Sequence, residues 1–224
     1  MTQEQYQSGF YEINNEWLWG YEFTNETSNK YASIPSFYYG ALAKDKDSTF
    51  GTPGYGTQVD YKYLESNGVD YLKGYSTVRI AWSFADMFGP DDCRALFPFY
   101  VDEKDGLFTS KFTSKDVNSL GVADYPMCRM AEAYLIQAEC LARANDLQGV
   151  TVLNTLQQKR GGTLSTTLSV DEVWYERRRE LYGEGFALPD IKRLQKPLER
   201  VGDEHWSTVK TLPANSPRMM FPIP

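Results

Sequence analysis

Between Met127 and Arg160 two stretches of helix-forming residues are separated by little more than Asn145-Asp146, so they fold back on each other as an antiparallel pair. The first helix is expected from about Met127 to Arg143. At about 100° per residue, Ala131, Tyr134, Leu135, Ala138, Leu141 and Ala142 share one face. The alanines on that face let a neighbour approach closely. A second helix is expected over Leu147–Arg160, ended by Gly161-Gly162. A third starts at Ser169, which has capping-box spacing to Glu172 while Leu168 can staple onto Val173. It runs to Tyr182 and stops at Gly183. Short-linked helices with small inner residues read as hairpins of the tetratricopeptide type. The expected fold class is mainly α: tetratricopeptide-like helical hairpins with a loop-rich, irregular ligand-binding part and little β.

The preceding sequence has another character. Of the 33 aromatic residues, 26 lie within residues 1–125, along with 11 of the 17 glycines. This partition divides the chain into an aromatic, loop-rich ligand-face region, 1–125, and a helical region, 126–224. Trp17, Trp19, Tyr21 and Phe23 alternate, which predicts a short strand with one face buried. Ile80 to Phe88 reads as a short helix stopped by Gly89-Pro90. Trp17, Trp19 and Trp82 are expected to fill core. Tyrosine supplies 16 of the aromatics, and it offers a flat ring to the C–H face of a sugar and a hydroxyl to its polar edge. Tyr38, Tyr39, Tyr55 and Tyr75 lie in turn-rich segments and are the candidate ligand contacts.

Charge and residue inventory narrow the chemistry. A net charge of −7 provides no cationic footprint for nucleic acid. No apolar run approaches the roughly 18 residues that span a bilayer. One histidine and three unspaced cysteines disfavour metal and nucleophile chemistry. His205, among polar residues, reads as a solvated loop residue, and Cys140 as a small core residue. Phe50–Gly56 is glycine-rich but lacks the lysine of a phosphate loop. Two acid pairs could serve a glycosidase, Asp91 with Asp92 and Glu180 with Glu184. The first sits in a turn, where acids face water. The second lies beside Arg177, which falls in the middle of the third helix's apolar face and needs a buried partner. Arg177, Glu180, Glu184, Asp190 and Arg193 are therefore expected to form a structural ion network. No catalytic residue, cofactor or metal site is expected.

Several blocks carry a family resemblance. Arg129-Met-Ala-Glu-Ala-Tyr-Leu-Ile-Gln-Ala-Glu139 resembles the R-x-A-E-x-Y-L-I-x-A-E helix of the SusD/RagB family. Leu153-Asn154 matches its L-N pair, Glu176-Arg-Arg-Arg-Glu-Leu-Tyr-Gly-Glu-Gly185 its E-R-R-x-E-L-x-x-E-G block, Asp190-Ile-Lys-Arg193 its D-L-K-R, and Phe221-Pro-Ile-Pro224 its F-P-I-P. Trp19-Gly20 and Asp92-Cys-Arg94 fit weaker landmarks upstream. The chain departs from the pattern at Ala187-Leu-Pro189, where the family has arginine and an aromatic. It resembles the C-terminal portion of a longer protein, without counterparts to the family's N-terminal helical repeats, signal peptide or lipidated cysteine.

The resemblance implies a cell-surface protein that binds oligosaccharide, or sometimes peptide, and passes it to a SusC-like TonB-dependent transporter. It implies lipid anchoring in the full-length protein at the extracellular face of the outer membrane, with neither catalysis nor cofactor. Two other functions stay open on the residues alone. One is a helical adaptor binding protein through its hairpin groove; the other is a glycoside hydrolase.

Overall fold

A computed structural model describes residues 1–29, 32–38, 78–97, 106–107, 109–115, 121–201 and 207–220. Tyr39, Tyr55, Tyr75, the Phe50–Gly56 stretch, His205 and Phe221–Pro224 lie outside the described residues. The chain divides into two compact units, one comprising Met1–Met130 with Lys159–Gly162, the other Ala131–Gln158 with Thr163–Pro224. Among the described residues the elements are mostly helical and the few strands are short.

In the first unit, helix α1 (Gln3–Gln7) begins with a complete capping box. Gln5 N donates to Thr2 Oγ1 at 3.2 Å, and Thr2 N donates to Gln5 Oε1 at 2.9 Å. The helix carries Tyr6 into a cluster with Phe10, Trp17, Cys93 and Phe112. Strand β1 (Trp17–Tyr21) pairs antiparallel with β2 (Tyr125–Arg129). The pairing is irregular. Trp17 faces Arg129 but Trp19 faces Cys128, which leaves Leu18 as an extra residue. Gly20 then faces Pro126, which leaves Met127 as a second one. Gly20 is required by close packing, because a Cβ there would lie 2.8 Å from both the Trp17 ring and the Tyr125 carbonyl. Among the described residues this unit also has two short helices, α2 (Ile34–Tyr38) and α3 (Trp82–Ala85). The helix expected over Ile80–Phe88 is confined to those four residues of α3, since Ile80 is instead held in a bridge to Leu107.

The second unit is a succession of helices. Helix α4 (Met130–Arg143) starts later than expected, because Met127–Arg129 are hydrogen-bonded into β2. Asn145 adopts a left-handed conformation with φ of 55°, and Asp146 caps α5 (Gln148–Arg160) by accepting from Gln148 N at 2.9 Å. Close approach in this hairpin falls to Gly149, where a Cβ would sit 2.3 Å from Leu168 Cδ2 and 3.0 Å from Leu141 Cβ. Helix α6 (Val170–Leu181) realises half of its expected capping box. Glu172 N donates to Ser169 Oγ at 3.0 Å, but the Glu172 carboxylate accepts from Thr167 Oγ1 instead of reaching back to the cap. Helix α7 (Ala187–Arg193) accommodates Pro189 in its first turn, where a missing N–H is harmless. Ala131, Leu135, Ala138, Leu153, Leu156, Val173 and Leu181 form the core of these helices. The pairs Leu198–Glu199 and Thr211–Leu212 make a small two-stranded ladder. Cys140 is exposed, contrary to its expected place in the core, because its position on α4 turns it away from the Ala131–Leu135–Ala138 stripe.

Candidate functional site

The motif residues of the second unit bond to one another. Glu139, at the end of the R-x-A-E helix, accepts from Arg193 Nη1 at 2.6 Å and Nη2 at 2.7 Å, and from Arg143 as well. These arginines hold the Glu139 carboxyl below its usual 4.5, the hydrogen bonds from Arg193 contributing most. The same contacts raise the Arg193 guanidinium further above its ordinary range. Arg177 is 4% exposed; its Nε donates to Asp190 Oδ2 at 2.9 Å, and Asp190 Oδ1 accepts from Arg193 Nε at 2.7 Å. Glu180 is fully buried and Glu184 half-buried. Asn154 clamps the loop after α5, donating to Ser165 O and accepting from Ser165 N. Leu153 meanwhile sits in the core. The L-N pair thus joins packing to loop closure.

The first unit buries charge differently. Glu16 accepts from Arg129 Nη1 at 2.8 Å and from Arg160 Nη2 at 2.7 and 2.8 Å. Each guanidinium also lies over a ring, Arg129 over Phe10 at 5.0 Å and Arg160 over Tyr6 at 5.1 Å. Asp92, expected to face water, is buried instead. Both its oxygens are occupied by Arg94, through Nε at 2.8 Å and Nη2 at 2.7 Å. Among the described residues no group of three or more His, Cys, Asp or Glu is placed to hold a metal ion.

The first unit leaves two neighbouring aromatic rings accessible. Trp17 is buried at 9% exposure, but Trp19 is 57% and Tyr21 50% exposed, their ring centroids 5.5 Å apart and planes tilted by 51°. The expected core role of Trp19 is therefore corrected. The extra residue at Leu18 breaks strict alternation, so Trp17 turns inward while Trp19 and Tyr21 turn outward. Tyr21 also lines a cavity of about 540 Å³, together with Phe10, Phe23, Ile34, Phe112, Tyr125 and Met127. Asp124 lies in the same lining and is fully engaged. It pairs with Lys115 Nζ at 2.7 Å and accepts from Phe23 N at 2.9 Å and Ile13 N at 3.3 Å. Tyr38 is half-buried, with its ring 5.0 Å from that of Phe112. The alternating aromatics pointed to the strand, but no sequence signal marked which rings would face out.

The fold is mainly helical, with helical hairpins and little β. Residues 103–211 match the sequence profile of the SusD family. A SusD-like carbohydrate-binding protein from Bacteroides vulgatus is 29% identical, with a TM-score of 0.64 over 90% of this chain and 39% of its own. A SusD superfamily protein from Bacteroides thetaiotaomicron superposes with a TM-score of 0.72 at 20% identity, over 98% of this chain and 48% of its own. A laminarin-binding SusD-like protein does so at 0.51 and 20% identity, over 87% and 45%. The chain thus spans less than half the length of these structures. Among curated proteins no sequence matches. Over residues 103–211 the chain is similar to the SusD family, and its fold is that of SusD-like proteins.

Proposed function

We propose that this chain is the glycan-binding part of a SusD-type surface protein. It holds an oligosaccharide at the first unit and hands it to a SusC-like TonB-dependent transporter. The observation that carries this reading is the exposed Trp19–Tyr21 pair beside an aromatic-lined cavity. The 29% identical carbohydrate-binding relative from Bacteroides vulgatus supports it. Sugars present C–H faces that stack on such rings, each stack contributing on the order of 1 kcal/mol. Two rings and a few hydrogen bonds give micromolar to millimolar affinity, suited to cargo that must be released. Catalysis has little support: Asp92 is clamped by Arg94, and Glu180 is fully buried. Placement at the outer-membrane face through a lipid anchor is part of the same proposal, supported by the similarity to the SusD family. No helix among the described residues is long and apolar enough to cross a membrane.

Titration calorimetry against a panel of oligosaccharides tests the reading. At least one member should bind, and Trp19→Ala/Tyr21→Ala should weaken it about 30-fold, the equivalent of two lost stacks. Tyr38→Ala/Tyr39→Ala in the same series tests two of the four tyrosines proposed as ligand contacts, Tyr38 being the last residue of α2. A panel with no binder, or a platform variant that binds like wild type, would defeat the proposal. Co-purification with a TonB-dependent transporter tests the handover.

A further inference from the structure

The cavity beside the platform has the wrong chemistry for a bare sugar ring. Its volume of about 540 Å³ suits a small-molecule group. Its walls, however, are largely the apolar surfaces of Phe10, Phe23, Ile34, Phe112 and Met127. The polar side chains in the lining already serve the protein. Asp124 is held by Lys115 and two backbone amides, and Ser28 Oγ donates to Gly121 O at 3.0 Å. Thr27 Oγ1 accepts from Thr24 N at 2.8 Å, and Ser33 Oγ accepts from Ser36 N at 3.4 Å. Asn29, exposed at the rim of the lining, has a carboxamide that makes no hydrogen bond among the described residues. Tyr21 and Tyr125 add two phenol groups. A pyranose laid against the buried rings Phe10 and Phe112 would turn hydroxyls toward carbon there, and each one without a partner opposes binding. An aromatic group with one polar handle has the matching pattern.

The geometry points to a decorated ligand: the cavity takes an aromatic substituent carried by a glycan, while the adjoining sugar ring stacks on Trp19 and Tyr21. Asn29 donates to the substituent's single acceptor, such as an ester carbonyl. Tyr21 belongs to both the platform and the cavity wall, so it couples the two halves of the ligand. This assignment rests on the glycan-binding reading and narrows its substrate class to sugars bearing aryl or aromatic acyl groups.

Calorimetry with the p-nitrophenyl and methyl glycosides of each oligosaccharide in the panel tests it. The aryl glycoside should bind at least tenfold more tightly than its methyl counterpart. Ala32→Phe, an exposed lining position filled with a ring, should abolish that advantage and leave methyl-glycoside affinity unchanged. Methyl ferulate should compete with the aryl glycoside in wild type, a readout independent of any variant's folding. Equal affinity of the two glycosides, with Trp19→Ala weakening both, would overturn the aromatic-substituent assignment and leave glycan binding intact. If no glycoside and no parent sugar binds, the glycan reading itself falls and takes this assignment with it.

Discussion

The two units bury charge for different purposes and over different distances along the chain. In the second, ionic contacts join motif blocks around a conventional apolar core, Asp190 lying 13 positions from Arg177 and Arg193 54 from Glu139. In the first, Glu16 reaches partners 113 and 144 positions away, and the guanidiniums it holds are themselves packed on aromatic faces. Lys111 adds a further fully buried cation, its Nζ 5.1 Å from the Phe10 ring centroid and 5.4 Å from that of Phe112. The helices among this unit's described residues are four or five residues long, too short to interlock through aliphatic stripes. The unit is held by rings and cations that satisfy each other, and further rings are left free on its surface.

This contrast can be broken or sharpened by substitution. Glu16→Gln should have the largest effect, about 3–5 kcal/mol of lost stability, because two buried arginines lose their shared counter-charge. Urea unfolding would measure it; a change below about 1 kcal/mol would mean that Glu16 is not the counter-charge on which the two arginines depend. Leu135→Ala, at the fully buried centre of the helical core, should cost about 2–5 kcal/mol in the same assay. If it proved neutral, the second unit would not depend on its apolar core.

Gly20→Ala should cost about 1–3 kcal/mol, since the new methyl meets the Tyr125 carbonyl and the Trp17 ring. A neutral result would show that the bulged sheet can relax. The Glu139–Arg193 contact makes a pH-dependent contribution. Because the folded carboxyl titrates below 4.5, its stabilisation is complete above that pH and is lost as pH falls through the lower folded value. Arg193→Leu should therefore lose less stability than wild type between pH 6 and pH 3. Identical losses would remove this pair from the acid response. The smallest effect on stability is expected of Trp19→Ala, within about 0.5 kcal/mol, as befits an exposed ring. A larger loss would make Trp19 a structural residue and weaken its assignment to the binding platform.

Much of the helical unit was legible from local pattern. The face formed by Ala131, Leu135 and Ala138 packs as its spacing implied, and the turn at Asn145-Asp146 lies where those residues favour one. The start of α4 was not legible, because Arg129 reads as the first residue of a helical motif yet is hydrogen-bonded across to β1. The aromatic platform was hidden for a related reason. Period-two spacing assigned Trp17 and Trp19 to one face, and only pairing with β2 creates the bulge at Leu18 that separates them. Asp92 looked like a turn acid because a sequence does not show that Arg94, two residues on, folds back onto it in a buried setting.

The amino-acid order by itself determined the main helices, the Ser169 cap and the hairpin turn, because these arise from interactions among residues a few positions apart. Tertiary structure alone decided that Glu16 meets Arg129 and Arg160, that Trp19 and Tyr21 face outward, and that apolar rings enclose a cavity beside them. Those outcomes depend on strand register and on contacts between distant segments. Local periodicity carries no information about either.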